Sequence, residues 1–144
     1  MKRFFNMLFA IIILATALTA GAQAQTSSTQ RVIANIPFAF TVGNKTLPAG
    51  KYTITVVNPS SDRRALQIRS MYGHSSAIVL TNAISGHVSD SSKLVFERYD
   101  DRYFFAQAQL SGDSTTLAAL RSKSEHKQLV ATAKKRSIVI IVAG

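Results

Sequence analysis

Between Arg31 and Val42 the even positions Val32, Ala34, Ile36, Phe38, Phe40 and Val42 are all apolar, while Asn35 and Thr41 between them are polar. That period of two marks a half-buried strand. Pro37 lacks a ladder donor, so the strand is expected to be an edge there or to bulge. Gly43-Asn44 fits a two-residue hairpin loop with glycine first, as a type II′ turn requires. Leu47-Pro48-Ala49-Gly50 fits a type I turn, with proline at the second corner and glycine at the fourth. Tyr52, Ile54 and Val56 then alternate with Lys51, Thr53 and Thr55 in a second strand.

The pattern continues in short pieces. Asn58-Pro59-Ser60-Ser61-Asp62 is a loop by composition, and Leu66 and Ile68 alternate with Gln67 and Arg69. Tyr72-Gly73-His74-Ser75 turns the chain, Ala77 to Leu80 reads as a short buried strand, and Ser85 to Ser92 as a polar loop. Leu94–Tyr99 and Arg102–Leu110 flank Asp100-Asp101 as a long hairpin, which the turn Ser111-Gly112-Asp113 ends. Ser122-Lys123-Ser124-Glu125 matches a capping box, so a short helix is expected to about Ala131, with Leu129 and Val130 buried. Ser137 to Ala143 is almost wholly apolar and β-branched, as in a strand covered on both faces. Seven or eight such strands predict an all-β fold, an antiparallel β-sandwich or small barrel, with one C-terminal helix capping an open end or edge. The apolar phase of each strand places Phe38, Phe40, Tyr52 and Ile54 in one core with Phe96, Phe104 and Ile140.

The first residues follow another logic. Lys2 and Arg3 precede an apolar stretch from Met7 through Leu18, and Ala22-Gln23-Ala24 supplies a small-x-small cleavage pattern. Residues 1–24 therefore read as a secretory signal peptide, and residues 25–144 as a single β-sandwich domain beginning at Gln25. The apolar stretch is short for a span, and no later stretch approaches the ~18 apolar residues a second one would need. The expected location is the periplasm or the extracellular space. The chain has 144 residues, no Cys, and 17 Lys and Arg against 7 Asp and Glu. Lack of Cys excludes disulfides, thiolate metal sites and a Cys nucleophile, so stability must come from the core.

The block "VIANIPFAFTVGNKTLPAGKYTI" from Val32 to Ile54, together with "KLVFERYDDRYFFAQ" from Lys93 to Gln107, resembles a family of small exported bacterial β-rich proteins. Its members are similar in having a signal peptide, a "PF.F.VG...LPAG.Y" opening and a later aromatic hairpin. The segment Ser122 to Glu125 is similar to the family's C-terminal stretch. The resemblance implies an exported β-rich fold and no activity, ligand or catalytic residue.

Candidate chemistry is sparse. Gly112-Asp113-Ser114 matches the nucleophile tripeptide of GDS-type esterases, but no Asp stands three residues before the one later histidine, His126. A plain turn accounts for it. His74, His87 and His126 form no paired metal-ligand spacing, and Asp100-Asp101 is a turn dipeptide, so no metal or cofactor is implied. Asn44-Lys45-Thr46 is a glycosylation sequon without meaning in a bacterial host. Strict alternation on the aromatic hairpin would turn Phe104, Ala106, Ala108 and Leu110 inward. Tyr103, Phe105, Gln107 and Gln109 would then form an outer contact face able to stack on a sugar, unless another layer covers it.

Positive charge is dispersed as far as Arg121. From there Arg121, Lys123, Lys127, Lys134, Lys135 and Arg136 face a single acid, Glu125, a segment suited to anionic lipid, acidic polysaccharide or another acidic partner. Export and the lack of a recognisable motif argue against nucleic acid. Three functions remain in view. They are a non-catalytic envelope or extracellular interaction or structural module, binding an anionic envelope component or another protein; a carrier of a small apolar ligand; and a hydrolase with a site assembled from loops.

Overall fold

The computed structural model describes residues 30–59, 61, 64–131 and 136–144. The segment expected to be a signal peptide, residues 1–24, lies outside the described residues. The chain is mostly β, in the order β1 (Arg31–Ile36), β2 (Phe40–Val42), β3 (Lys45–Leu47), β4 (Gly50–Val56), β5 (Ala65–Ser70), β6 (Ser76–Ser85), β7 (Ser92–Tyr99), β8 (Arg102–Gln109), β9 (Thr115–Ala119), α1 (Lys123–Ala131) and β10 (Arg136–Ala143).

The single strand expected from Arg31 to Val42 forms instead as two, β1 and β2, with different partners, because Pro37 cannot donate to a ladder. Pro37 ends β1, and the apolar phase resumes in β2, leaving Ile36, Phe40 and Val42 buried and Phe38 packed against the core. Val42 pairs with Lys45 across Gly43-Asn44, with φ +59° at Gly43 and negative φ at Asn44, the backbone of a type II′ turn. The Tyr52 hydroxyl donates to the Pro48 carbonyl at 2.6 Å, latching the Leu47–Gly50 turn onto β4.

The strands form one mixed sheet rather than a purely antiparallel one. Its path runs β1-β4-β5-β6-β9-β8-β2-β3, with β7 on the other edge of β8 and β10 beyond β7. The parallel element is β2 beside the start of β8 (Phe40 with Tyr103, Thr41 with Phe104), made possible because β9 pairs only with the end of β8. β6 is longer than its sequence suggests and changes partner midway. Ser76–Leu80 pairs with β5, and Thr81–Ser85 with β9. At the change Thr81 is fully buried, its amide and hydroxyl both donating to the Arg64 carbonyl (2.9 and 2.7 Å). β9 follows the Ser111–Asp113 turn, where the sequence shows no clear alternation. The sheet is not closed: β1 and β10 meet through the Ile33 amide and the Gly144 carbonyl at 3.3 Å, without a continuing ladder.

Side chains from both halves of the sheet share one core, including Ile36, Phe40, Tyr52, Ile54, Leu66, Ile68, Leu94, Phe96 and Leu117. Phe96 contacts Phe38, Phe40 and Phe105 edge-on, with centroids 5.2–5.8 Å apart. Two expected members sit elsewhere. Phe104 is buried on the opposite face, edge-on to Tyr99 at 5.7 Å. Ile140 is 58% exposed. β10 pairs with β7 alone, so Val139 and Ile141 reach the core while Ile138, Ile140 and Val142 face outward, and the expected cover on both faces is not there.

The helix begins as read. Ser122 Oγ accepts from the Glu125 amide at 3.1 Å, and the Ser122 amide donates back to the Glu125 carboxylate. Its seat differs from expectation: Glu125 is the buried contact and Val130 is exposed, while the Leu129 side chain lies outside the described residues.

Candidate functional site

The aromatic face expected on β8 is absent, because one residue resets the phase. Val95 pairs with Gln107 and Phe96 with Phe105, so Ala106 is an extra residue, a β-bulge. Beyond it Ala108 and Leu110 point inward as read. Before it the alternation is inverted. Phe105 belongs to the core, and Tyr103 stacks on Phe38 with centroids 3.9 Å apart and with the Arg98 guanidinium over its ring. Gln107 and Gln109 are half-buried, and Gln109 donates to the His87 carbonyl at 2.9 Å. Tyr103, Phe105, Gln107 and Gln109 therefore share no ligand platform.

The basic C-terminal residues divide into two groups. Lys123 and Lys127 are exposed on α1, and Lys134 and Lys135 lie outside the described residues. Arg121 and Arg136 instead converge on Glu97, a buried carboxylate of β7. Arg136 donates to Glu97 Oε1, with Arg121 3.6 Å from the same oxygen, and the Tyr99 hydroxyl donates to Oε2 at 2.5 Å. Burial, then the Glu97 bond, pushes the Tyr99 phenol above its ordinary range. Glu125 completes the cluster around a small cavity of ≈120 Å3 that Ala106, Gln107 and Ala118 help to line. Its carboxyl is pushed up by burial, and Arg121 opposes that shift while the Glu97 charge adds to it. The network joins β7, β10 and the start of α1, so two of the six predicted surface cations hold the fold together.

The candidate surface lies on another part of the sheet. A cleft of ≈780 Å3 opens over the outer face of β1, β4 and β5, walled by the Met71–His74 turn. Strand register arranges its floor: Arg31 opposite Thr55 opposite Gln67 in one row, and Ile33 opposite Thr53 opposite Arg69 in the next. Inward neighbours Val32, Ile54 and Ile68 anchor these strands from below. The turn is closed by Ser70 N–H to the Ser75 carbonyl (2.8 Å) and Gly73 N–H to Ser70 Oγ (3.0 Å), which leaves Tyr72 83% exposed beside the floor. Among the described residues that line it, none is acidic. Among the described residues, Arg31 and Arg69 make no ion pair.

The sequence carried a signal for this face. Asp62 is the single acidic residue before Asp90, whereas Arg31, Lys45, Lys51, Arg63, Arg64 and Arg69 fall in that stretch. The charge there is diluted along the chain, and only strand pairing concentrates it.

The remaining candidates are structural. Gly112 has φ +77°, Asp113 accepts from the Thr115 amide at 2.8 Å and pairs with Arg64 at 3.3 Å, and Ser114 follows in that turn. Burial acts to raise the Asp113 carboxyl, but the Thr115 and Arg64 hydrogen bonds outweigh it and hold the group low. Asp100 occupies the β7–β8 turn with φ +53°. His74, His87 and His126 lie on the β5–β6 turn, the loop after β6 and α1. No family model, curated protein or solved structure matches the chain.

Proposed function

We propose that this chain is an exported, non-catalytic β-sandwich that acts as an interaction module at the cell envelope or outside the cell. The single observation that carries the reading is an open cleft whose two arginines form no ion pair among the described residues. Aromatic rings in mutual contact occupy the space an apolar cargo would need, which speaks against a carrier. Among the described residues, the Asp113 and Glu97 carboxylates are committed to a turn and to ion pairs. The resemblance at "PFAFTVGNKTLPAGKY" and the signal-peptide pattern support export to the periplasm or beyond.

Two measurements test this. N-terminal sequencing of protein recovered outside the cytoplasm should begin at Gln25, and recovery of intact Met1 would overturn export. Mature protein should sediment with isolated cell envelopes at low ionic strength and be released by salt, as contacts between exposed charges are. Failure to sediment at any ionic strength would overturn the envelope-binding role.

A further inference from the structure

We propose that the cleft over β1, β4 and β5 binds a carboxylated polysaccharide, a chain of uronic-acid type laid across the strands. The proposal rests on the surface-binding reading above and names its ligand. Arg31 on β1 and Arg69 on β5 stand two strand spacings apart, about 10 Å, on either side of β4 and one row out of step. A guanidinium is a fixed planar fork that takes a carboxylate through two parallel hydrogen bonds. Between the two forks lie neutral donors and acceptors, Thr53, Thr55 and Gln67, whose side chains, among the described residues, bond to no other protein group.

That alternation of cation and uncharged hydroxyl or amide matches a polymer alternating carboxylates with sugar hydroxyls. Tyr72, held out on its closed turn, offers an aromatic face for a sugar ring at the side of the floor. Among the described residues the lining holds no carboxylate, so nothing there repels such a chain or offsets the field of the two arginines. A lipid acyl chain is a poorer occupant, since polar side chains outnumber Ile33, Met71 and Tyr72 across the floor and wall.

The test uses the mature chain in affinity electrophoresis through gels containing polygalacturonate, neutral dextran or no polymer. Wild type should be retarded by polygalacturonate, not by dextran, and released by salt. The double variant Arg31→Gln/Arg69→Gln should lose about tenfold or more in affinity, as expected for removing two charge-assisted contacts. Tyr72→Ala should weaken binding with no change in charge. All three substituted residues are exposed, and unchanged thermal melting verifies the fold. The control Lys123→Ala/Lys127→Ala removes the same charge from α1 and should bind as wild type does.

Equal loss in the two double variants would overturn the cleft in favour of diffuse attraction, as would equal retardation by dextran. Binding confined to phosphatidylglycerol vesicles would assign the face to lipid and overturn the polysaccharide. Envelope sedimentation of the Arg31→Gln/Arg69→Gln variant separates the two levels of the argument. Unchanged sedimentation would defeat this cleft while leaving an interaction module, whereas wild type that binds neither envelopes nor polymer would defeat both.

Discussion

Phe40 and Ile140 are both large apolar residues in strands, yet the fold treats them oppositely. Phe40 is 1% exposed and touches the rings of Tyr52 and Phe96, whereas Ile140 stands on the outer face of β10. Phe40→Ala should therefore cost about 3–5 kcal/mol in urea unfolding. Ile140→Thr, which keeps the β-branch, should change stability by less than ~1 kcal/mol. A large loss at Ile140 would mean that a partner or another copy covers β10. Glu125 makes a different prediction. Burial raises its carboxyl pKa in the folded chain, so its protonated form contributes stability below the ordinary carboxyl range, and that contribution is lost as pH rises through the folded value. Glu125→Gln preserves the capping box and cannot ionise. Its stability relative to wild type should rise between pH 4 and pH 7, measured in paired urea melts. A flat difference would show that Arg121 and Arg136 fully compensate the buried charge.

Among the elements, alternation alone was enough to place β4 and β5, because Tyr52 to Val56 and Leu66 with Ile68 keep strict phase, whereas Arg31 to Val42 reads as one strand and forms two. The two-residue turn at Gly43-Asn44 and the capping box were equally legible, since each solves a local backbone problem with particular residues. The aromatic hairpin was not. A bulge adds one residue without altering composition, and nothing around Ala106 distinguishes an extra alanine from a paired one. Deleting Ala106 should therefore be far more damaging than its small side chain suggests. It would either turn Tyr103 and Phe105 outward or pull Ala108 and Leu110 out of the core. Loss of the cooperative urea transition is expected, while Ala106→Ser, which keeps the count, should unfold within ~1 kcal/mol of wild type.

For the whole molecule, the candidate site escaped notice because no contiguous run of residues composes it. Arg31, Thr55 and Gln67 become neighbours through strand pairing, and Arg69 joins them from the next row. The sequence pointed instead to the dense cations of the C-terminal segment, where Arg121 and Arg136 prove to be held by Glu97, a residue that reads in isolation as an ordinary surface acid. Burial is a property of the assembled sheet, which sequence spacing conveys only when register is known.

The meeting of Ile33 with Gly144 sets an order of events in time. Pairings such as β1 with β4 and β4 with β5 close short stretches of chain, whereas this contact joins a residue of the first strand to the last residue of all. Its loop-closure entropy is large, and beyond shared core packing a single long hydrogen bond rewards it in place of a ladder. The seam should form last and open first. In native-state hydrogen exchange the Ile33 amide should exchange by local fraying, orders of magnitude faster than the Ile54 and Ile68 amides, which should wait for global unfolding. The β1 margin of the basic cleft would then loosen from β10 alone, while its pairing with β4 along all of β1 keeps Arg31 in register with Arg69.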